Sequence, residues 1–205
     1  MITLYHAPKT RSSRFLWLLE EIGEPYEVKV VNLRRRDGTG GPPDPAYRSI
    51  HPHMKVPALV HDGATVFESA AIALYLTDAF PKAGVGVPIG NPKRGPYLTW
   101  LAYYAGVMEP AFVGKALGFT TTNGTTGWSS TDDILALLTE TLARGPYLLG
   151  EQFTAADVIF GSTFALFQGS PLLPKNATID AYVAALKARP AYARGEAREE
   201  GETSA

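Results

Sequence analysis

Cysteine is absent from the 205 residues. That excludes disulfides, a cysteine nucleophile, zinc–thiolate sites and CxxC redox chemistry. Any thiol chemistry must therefore use a sulfur carried in by a ligand. An excess of one charge is missing too: 19 Lys and Arg stand against 20 Asp and Glu, a formal net charge of −1. No global basic field exists to draw nucleic acid, and no acidic excess marks a disordered chain. No apolar run approaches the ~20 residues needed to span a bilayer. The N-terminus, MITLYHAPKTR, lacks the long apolar stretch and small-residue cleavage site of a signal peptide. The expectation is a cytoplasmic protein with no nucleic-acid or membrane partner. What is present supports a packed core, since 45% of the residues are hydrophobic and 19% charged. The length suits one domain or two small ones.

The first 80 residues alternate strand and helix signals. Ile2 to Tyr5 reads as a strand, and Phe15, Leu18, Leu19 and Ile22 fall at helical spacing over 11–22. Gly23 stops that helix. Tyr26 to Val31 reads as a second strand, parallel to the first because a helix joins them. A loop rich in Arg, Gly and Pro covers 32–45, and a short helix is expected near 46–50. Asp62-Gly63 between two apolar β-prone runs predicts a hairpin. An apolar helix follows over 70–80 and ends at Pro81. The expected order is β-α-β-α-β-β-α with a mixed sheet. Residues 81–92 are a linker by composition. An all-helical region is expected over 93–195, with a polar loop at 118–130. The polar stretch 196–205 reads as a frayed tail.

Four segments carry chemistry. Thr10, Ser12 and Ser13 place hydroxyls at the start of the first helix. A thiol held there ionises more readily. A drop of ~2 pKa units corresponds to ~2.7 kcal/mol. The plain alternative is helix capping. Lys55-Val56-Pro57 precede a strand, where Pro donates nothing to the ladder. Either Pro57 is trans at a strand start, or the bond before it is cis and forms a deliberate turn. The second case leaves the N–H and C=O of Val56 facing outward, able to pair with another backbone. Glu68-Ser69 stand where a strand becomes a helix, whose N-terminus favours carboxylates. Ser69 is a candidate for a ligand carboxylate and Glu68 for a ligand ammonium, the two halves of an amino-acid head group; Ser69 as a simple cap is the alternative. In FTAADV, Thr154 and Asp157 fit a capping box and Phe153 with Val158 a hydrophobic staple, a structural signal. His6, His51, His53 and His61 match no ligand spacing, so no metal is expected. Tyr97, Trp100, Tyr103, Tyr104 and Trp128 are candidates for an apolar pocket or for core.

LYHAPKTRSSRFLWLLEE, HPHMKVPAL, DGATVFESAAIALYL and GEQFTAADV occur in this order. Together they resemble the cytosolic glutathione transferases, over nearly the whole chain. The resemblance is to a bacterial type with a serine/threonine-like rather than a cysteine-type site. It implies a thioredoxin-like domain over 1–80 and an all-α helical-bundle domain over 93–195. It implies that Val56 bonds the cysteinyl backbone of glutathione, with Pro57 cis, and that Glu68 and Ser69 hold the γ-glutamyl group. Lys55 is implied near the glycyl end, with Arg34, Arg35, Arg36 and His53 as further candidates there. For the thiol, Thr10 and Ser12 rank equal and Tyr5 third. Met54 stands where the family often has Gly. Trp100, Tyr103 and Tyr104 are expected in the electrophile pocket, the two tyrosines favoured. The implied function is conjugation of glutathione, a co-substrate, to a small apolar electrophile. Peroxide reduction at the same site, a detoxifying role and a homodimer belong to the same expectation. The alternative is a glutathione-fold binding or interaction protein with little catalysis.

Overall fold

The structure is a computed structural model that describes residues 1–35, 38–119 and 126–204. The chain divides into two compact units, Met1–Ala83 with the segment from Pro190 onward, and Gly84–Arg189.

The first unit runs β1 (Ile2–His6), α1 (Ser13–Ile22), β2 (Tyr26–Val30), a 3-10 turn (Pro45–Ser49), β3 (Ala58–His61), β4 (Ala64–Phe67) and α2 (Ser69–Ala79). The weak helix expected near 46–50 is that 3-10 turn, capped by Asp44 Oδ1 on the N–H of Ala46 at 2.8 Å. The sheet order is β2-β1-β3-β4, with β1 and β2 parallel and the other pairs antiparallel. Asp62 and Gly63 make the hairpin turn with φ of 48° and 84°, the left-handed values a two-residue turn requires. This is the mixed sheet read from the sequence pattern and the thioredoxin-like arrangement that the family resemblance implies. Alternation along β1 buries Ile2, Leu4 and His6 on one face and turns Thr3 and Tyr5 to the other. Tyr5 meets Tyr47 of the 3-10 turn with ring centroids 5.3 Å apart, in a cluster with Val31, Ala58, Met54 and Val56.

The segment expected as a frayed tail is different. A helix, α8 (Pro190–Ser204), packs on α1. It carries no apolar stripe, so periodicity missed it. Small residues make the contact instead: Ala191 and Gly195 are buried, one turn apart. A Cβ on Gly195 would lie 2.8 Å from the N and Cα of Trp17. Tyr192 meets the Trp17 ring edge-on at 5.1 Å, and Arg194 pairs with Glu20 at 2.8 Å. Gly195→Ala is therefore expected to cost ~1–3 kcal/mol by overpacking, although Ala is the better helix former. Urea unfolding measures this, and an unchanged midpoint would mean that α8 does not lie against α1.

The second unit holds α3 (Arg94–Tyr103), α4 (Glu109–Ala116), α5 (Thr131–Leu142), α6 (Ala155–Phe167) and α7 (Ala177–Lys187). A π-turn, Tyr104–Met108, joins α3 to α4. It falls where Pro110 withdraws an N–H and crowds the preceding turn, which widens to accommodate it. The polar loop expected over 118–130 lies partly outside the described residues. At the start of α6, Asp157 Oδ2 accepts the N–H of Thr154 at 2.8 Å, as the capping-box pattern predicted. No described helix is long and apolar enough to cross a membrane.

Candidate active site at one end of the sheet

Strand register brings three chemistry-bearing segments to one end of the sheet. Tyr5 pairs with Ala58, and Ala58 pairs with Phe67. The C-terminal end of β1, the N-terminal end of β3 and the C-terminal end of β4 are thus in line. The loop carrying Thr10, the Val56-Pro57 turn and the Glu68-Ser69 junction follow directly from those ends.

Thr10 and Ser12, equal in the sequence, are not equal in the structure. Ser12 is 0% exposed. Its Oγ accepts the N–H of Ala7 at 3.0 Å and lies 2.8 Å from His6 Nδ1 and 2.7 Å from Thr10 Oγ1. Its hydroxyl does not cap α1. It holds the end of β1 to the start of the helix. Thr10 is half-buried, and its Oγ1 donates to the carbonyl of Ala7 at 2.7 Å. That oxygen also accepts the N–H of Ser12 at 3.2 Å. Of the two hydroxyls, Thr10 is the one that reaches the surface. Burial pushes the His6 imidazole below its usual value, opposed by the charge of Glu199. Tyr5 is not brought to this cluster: the pleat sends it to the opposite face, where it lines a cleft of about 480 Å³ with Lys29, Asp44, Tyr47 and Ile50.

The Val56–Pro57 peptide bond is cis. Among the described residues, no backbone hydrogen bond engages Val56. The Lys55 carbonyl accepts Tyr47 OH at 2.7 Å, while the Lys55 side chain is exposed. Met54 adopts φ 53°, so the left-handed turn that Gly would favour is made without Gly. His53 is exposed and donates its N–H to His51 Nδ1 at 3.1 Å. His51 is buried, with its ring 4.8 Å from that of Phe67. Desolvation lowers its pKa, while the nearby Glu68 charge raises it. In the sequence His51 stood only among four histidines that match no ligand spacing.

Glu68 sits at φ 73° and ψ 126°, a sparsely populated region for a residue with a side chain. Its carboxylate is exposed and does not cap α2. Ile72 makes the first bond of the helix, to the Glu68 carbonyl at 2.9 Å. The N–H groups ahead of it, beginning with that of half-buried Ser69, lack helical partners by geometry. Strain of this kind collects at binding sites. From the Arg-rich loop, the Arg35 guanidinium donates to the Pro8 carbonyl at 2.9 Å, and Arg34 is exposed. Arg36 lies outside the described residues. Among the described residues no group of His, Asp or Glu is placed to hold a metal.

Within the helical unit, Tyr104 is 2% exposed. Its hydroxyl bonds Glu109 and lies 3.0 Å from Thr163 Oγ1. It is a core residue, so the expectation that it lines a pocket is corrected. Buried Thr163 and half-buried Glu109 hold it inward. Trp100 and Tyr103 are half-buried, their rings 5.7 Å apart.

Comparisons with known proteins bear on the family and the fold. The family model for the glutathione S-transferase N-terminal domain matches residues 1–78, and that for the C-terminal domain matches 123–191. Glutathione S-transferase 3 of Schizosaccharomyces pombe is 30% identical over 175 residues, which are 77% of this chain and 70% of that protein. The crystal structure of a glutathione transferase from Methylococcus capsulatus superposes with a TM-score of 0.79 at 26% identity, over 98% of this chain and 99% of that one. A theta class glutathione S-transferase from Xanthomonas axonopodis pv. citri, with glutathione bound, superposes with a TM-score of 0.76 at 27% identity, over 95% and 96% of the two chains. The chain belongs to the glutathione S-transferase family of enzymes.

Proposed function

We propose that this protein conjugates glutathione to a small apolar electrophile, with Thr10 holding the thiolate. The convergence of Thr10, Val56 and Glu68-Ser69 on one end of the sheet carries the proposal. In this reading the Val56 backbone pairs with the cysteinyl residue of glutathione as a short strand. Ser69 and the first turn of α2 hold the γ-glutamyl carboxylate, and Glu68 holds its ammonium. Lys55, His53 and Arg34 are left for the glycyl carboxylate. The thiol proton leaves to solvent. The Thr10 hydrogen turns from the Ala7 carbonyl to the sulfur, and Ser12 Oγ, 3.2 Å from the same carbonyl, remains as its donor. The thiolate then forms the carbon–sulfur bond as the leaving group departs with the electron pair. Held geometry supplies much of the acceleration. Trp100 and Tyr103 are proposed as contacts to the electrophile. Peroxide reduction, a detoxifying role, a homodimer and a cytoplasmic location complete the proposal and rest on the family resemblance.

Calorimetric titration with glutathione tests the assignment. The wild type is expected to bind, and Glu68→Ala to weaken binding by about 10- to 100-fold, the worth of a hydrogen bond to a charged group. No heat from millimolar glutathione would contradict it. One observation favours the second reading, a binding protein with little catalysis: the Thr10 hydroxyl is already engaged by Ala7 at 2.7 Å. Glutathione affinity without turnover of a generic electrophile would decide for that reading.

A further inference from the structure

The C-terminal helix brings a carboxylate to the first turn of α1. Glu199 Oε1 accepts the backbone N–H of Lys9 and the hydroxyl of Ser13, the latter at 2.7 Å. Lys9 sits at φ 57°, a conformation that needs outside support in a residue with a side chain. Thr10 lies between these two anchors, one residue after Lys9 and three before Ser13. The path of α8 is set by contacts four and five residues earlier: Gly195 against Trp17, and Arg194 with Glu20. Glu199 itself is half-buried.

We infer that Glu199 is a positioning residue of the glutathione site, pinning the loop that presents the Thr10 hydroxyl and keeping a negative charge beside the sulfur. This rests on the proposed glutathione reading of the site. The carboxylate and a bound thiolate share the positive end of one helix, and like charges oppose each other. Glu199 therefore fixes the loop at the cost of holding the thiol pKa up. His6 on β1 and Tyr192 on α8 feel the same carboxylate. Lys9, Arg11 and Arg14 are the cations of the loop and first turn, and Glu196, Arg198 and Glu200 are its charged neighbours on α8.

Two variants separate the two effects. Glu199→Ala removes acceptor and charge. It is expected to raise KM for glutathione about tenfold and to speed hydrogen exchange at the Lys9 amide in the ligand-free protein. Glu199→Gln keeps the acceptor. It is expected to restore KM and Lys9 protection, while moving the pH profile of kcat at saturating glutathione down by about one unit. Unchanged KM and Lys9 exchange in Glu199→Ala would overturn the inference. An unmoved pH profile in Glu199→Gln would overturn the charge half of it. A wild type that binds no glutathione would overturn the reading of the site itself. The Lys9 exchange rates would then still show whether Glu199 holds the loop.

Discussion

Thr10→Ala is expected to lower kcat/KM for conjugation by about 10- to 100-fold and to raise the pKa of the bound thiol by about one to two units. In the proposed reading the lost interaction is a hydroxyl donating to a charged sulfur, and such bonds are the stronger ones. Ser12→Ala should behave differently. Its hydroxyl is buried and serves the N–H of Ala7 and the imidazole of His6. Removing it leaves two buried groups without a partner, each costing ~1–3 kcal/mol. The expected result is a lower melting temperature, with the thiol pKa moved less than in Thr10→Ala. Steady-state kinetics with a generic electrophile and thermal melts of both variants measure the contrast. Equal kinetic effects with equal melts would contradict the division of labour.

Asp157→Ala is expected to cost ~4 kcal/mol or more of stability. The carboxylate is 0% exposed. It accepts the N–H of Leu148 at 2.9 Å, the N–H of Thr154 at 2.8 Å and the phenol of Tyr182 at 2.9 Å. All three donors lose their partner together. Burial outweighs these bonds and pushes the carboxyl up to about 6. The folded value exceeds the unfolded one, so the folded state holds this proton more tightly. Its stabilising contribution is full below the unfolded value of ~3.9 and is lost as pH rises through about 6. Raising pH from 5 to 7 should therefore weaken the wild type through this group, and Asp157→Asn should lack that component. Urea unfolding at the two pH values reads both effects.

The fold was legible where local chemistry decided it. Asp62-Gly63 demanded a hairpin, Gly23 ended α1 with φ 79°, and the Thr154–Asp157 spacing announced α6. Helix α8 was not legible, because Ala191 and Gly195 pack by being small rather than by being apolar. The segments of the candidate site could be picked out in the sequence, but not the part each side chain plays. Thr10 and Ser12 are two residues apart with similar hydroxyls, and only folding decides which is enclosed. Tyr5 and His6 are neighbours that the pleat sends to opposite faces. Tyr103 and Tyr104 share one aromatic run, yet Tyr104 is held inward by Thr163 and Glu109. Glu199 is distant in sequence from the loop it contacts, and no motif links the two.

In the proposed function, a chain without sulfur nucleophiles of its own ionises the thiol of glutathione at the start of α1. The most direct measurement is the ultraviolet thiolate absorbance of the wild-type glutathione complex, followed across pH. The bound thiol is expected to titrate about two units below that of free glutathione. A bound thiol that titrates as it does in free solution would contradict it.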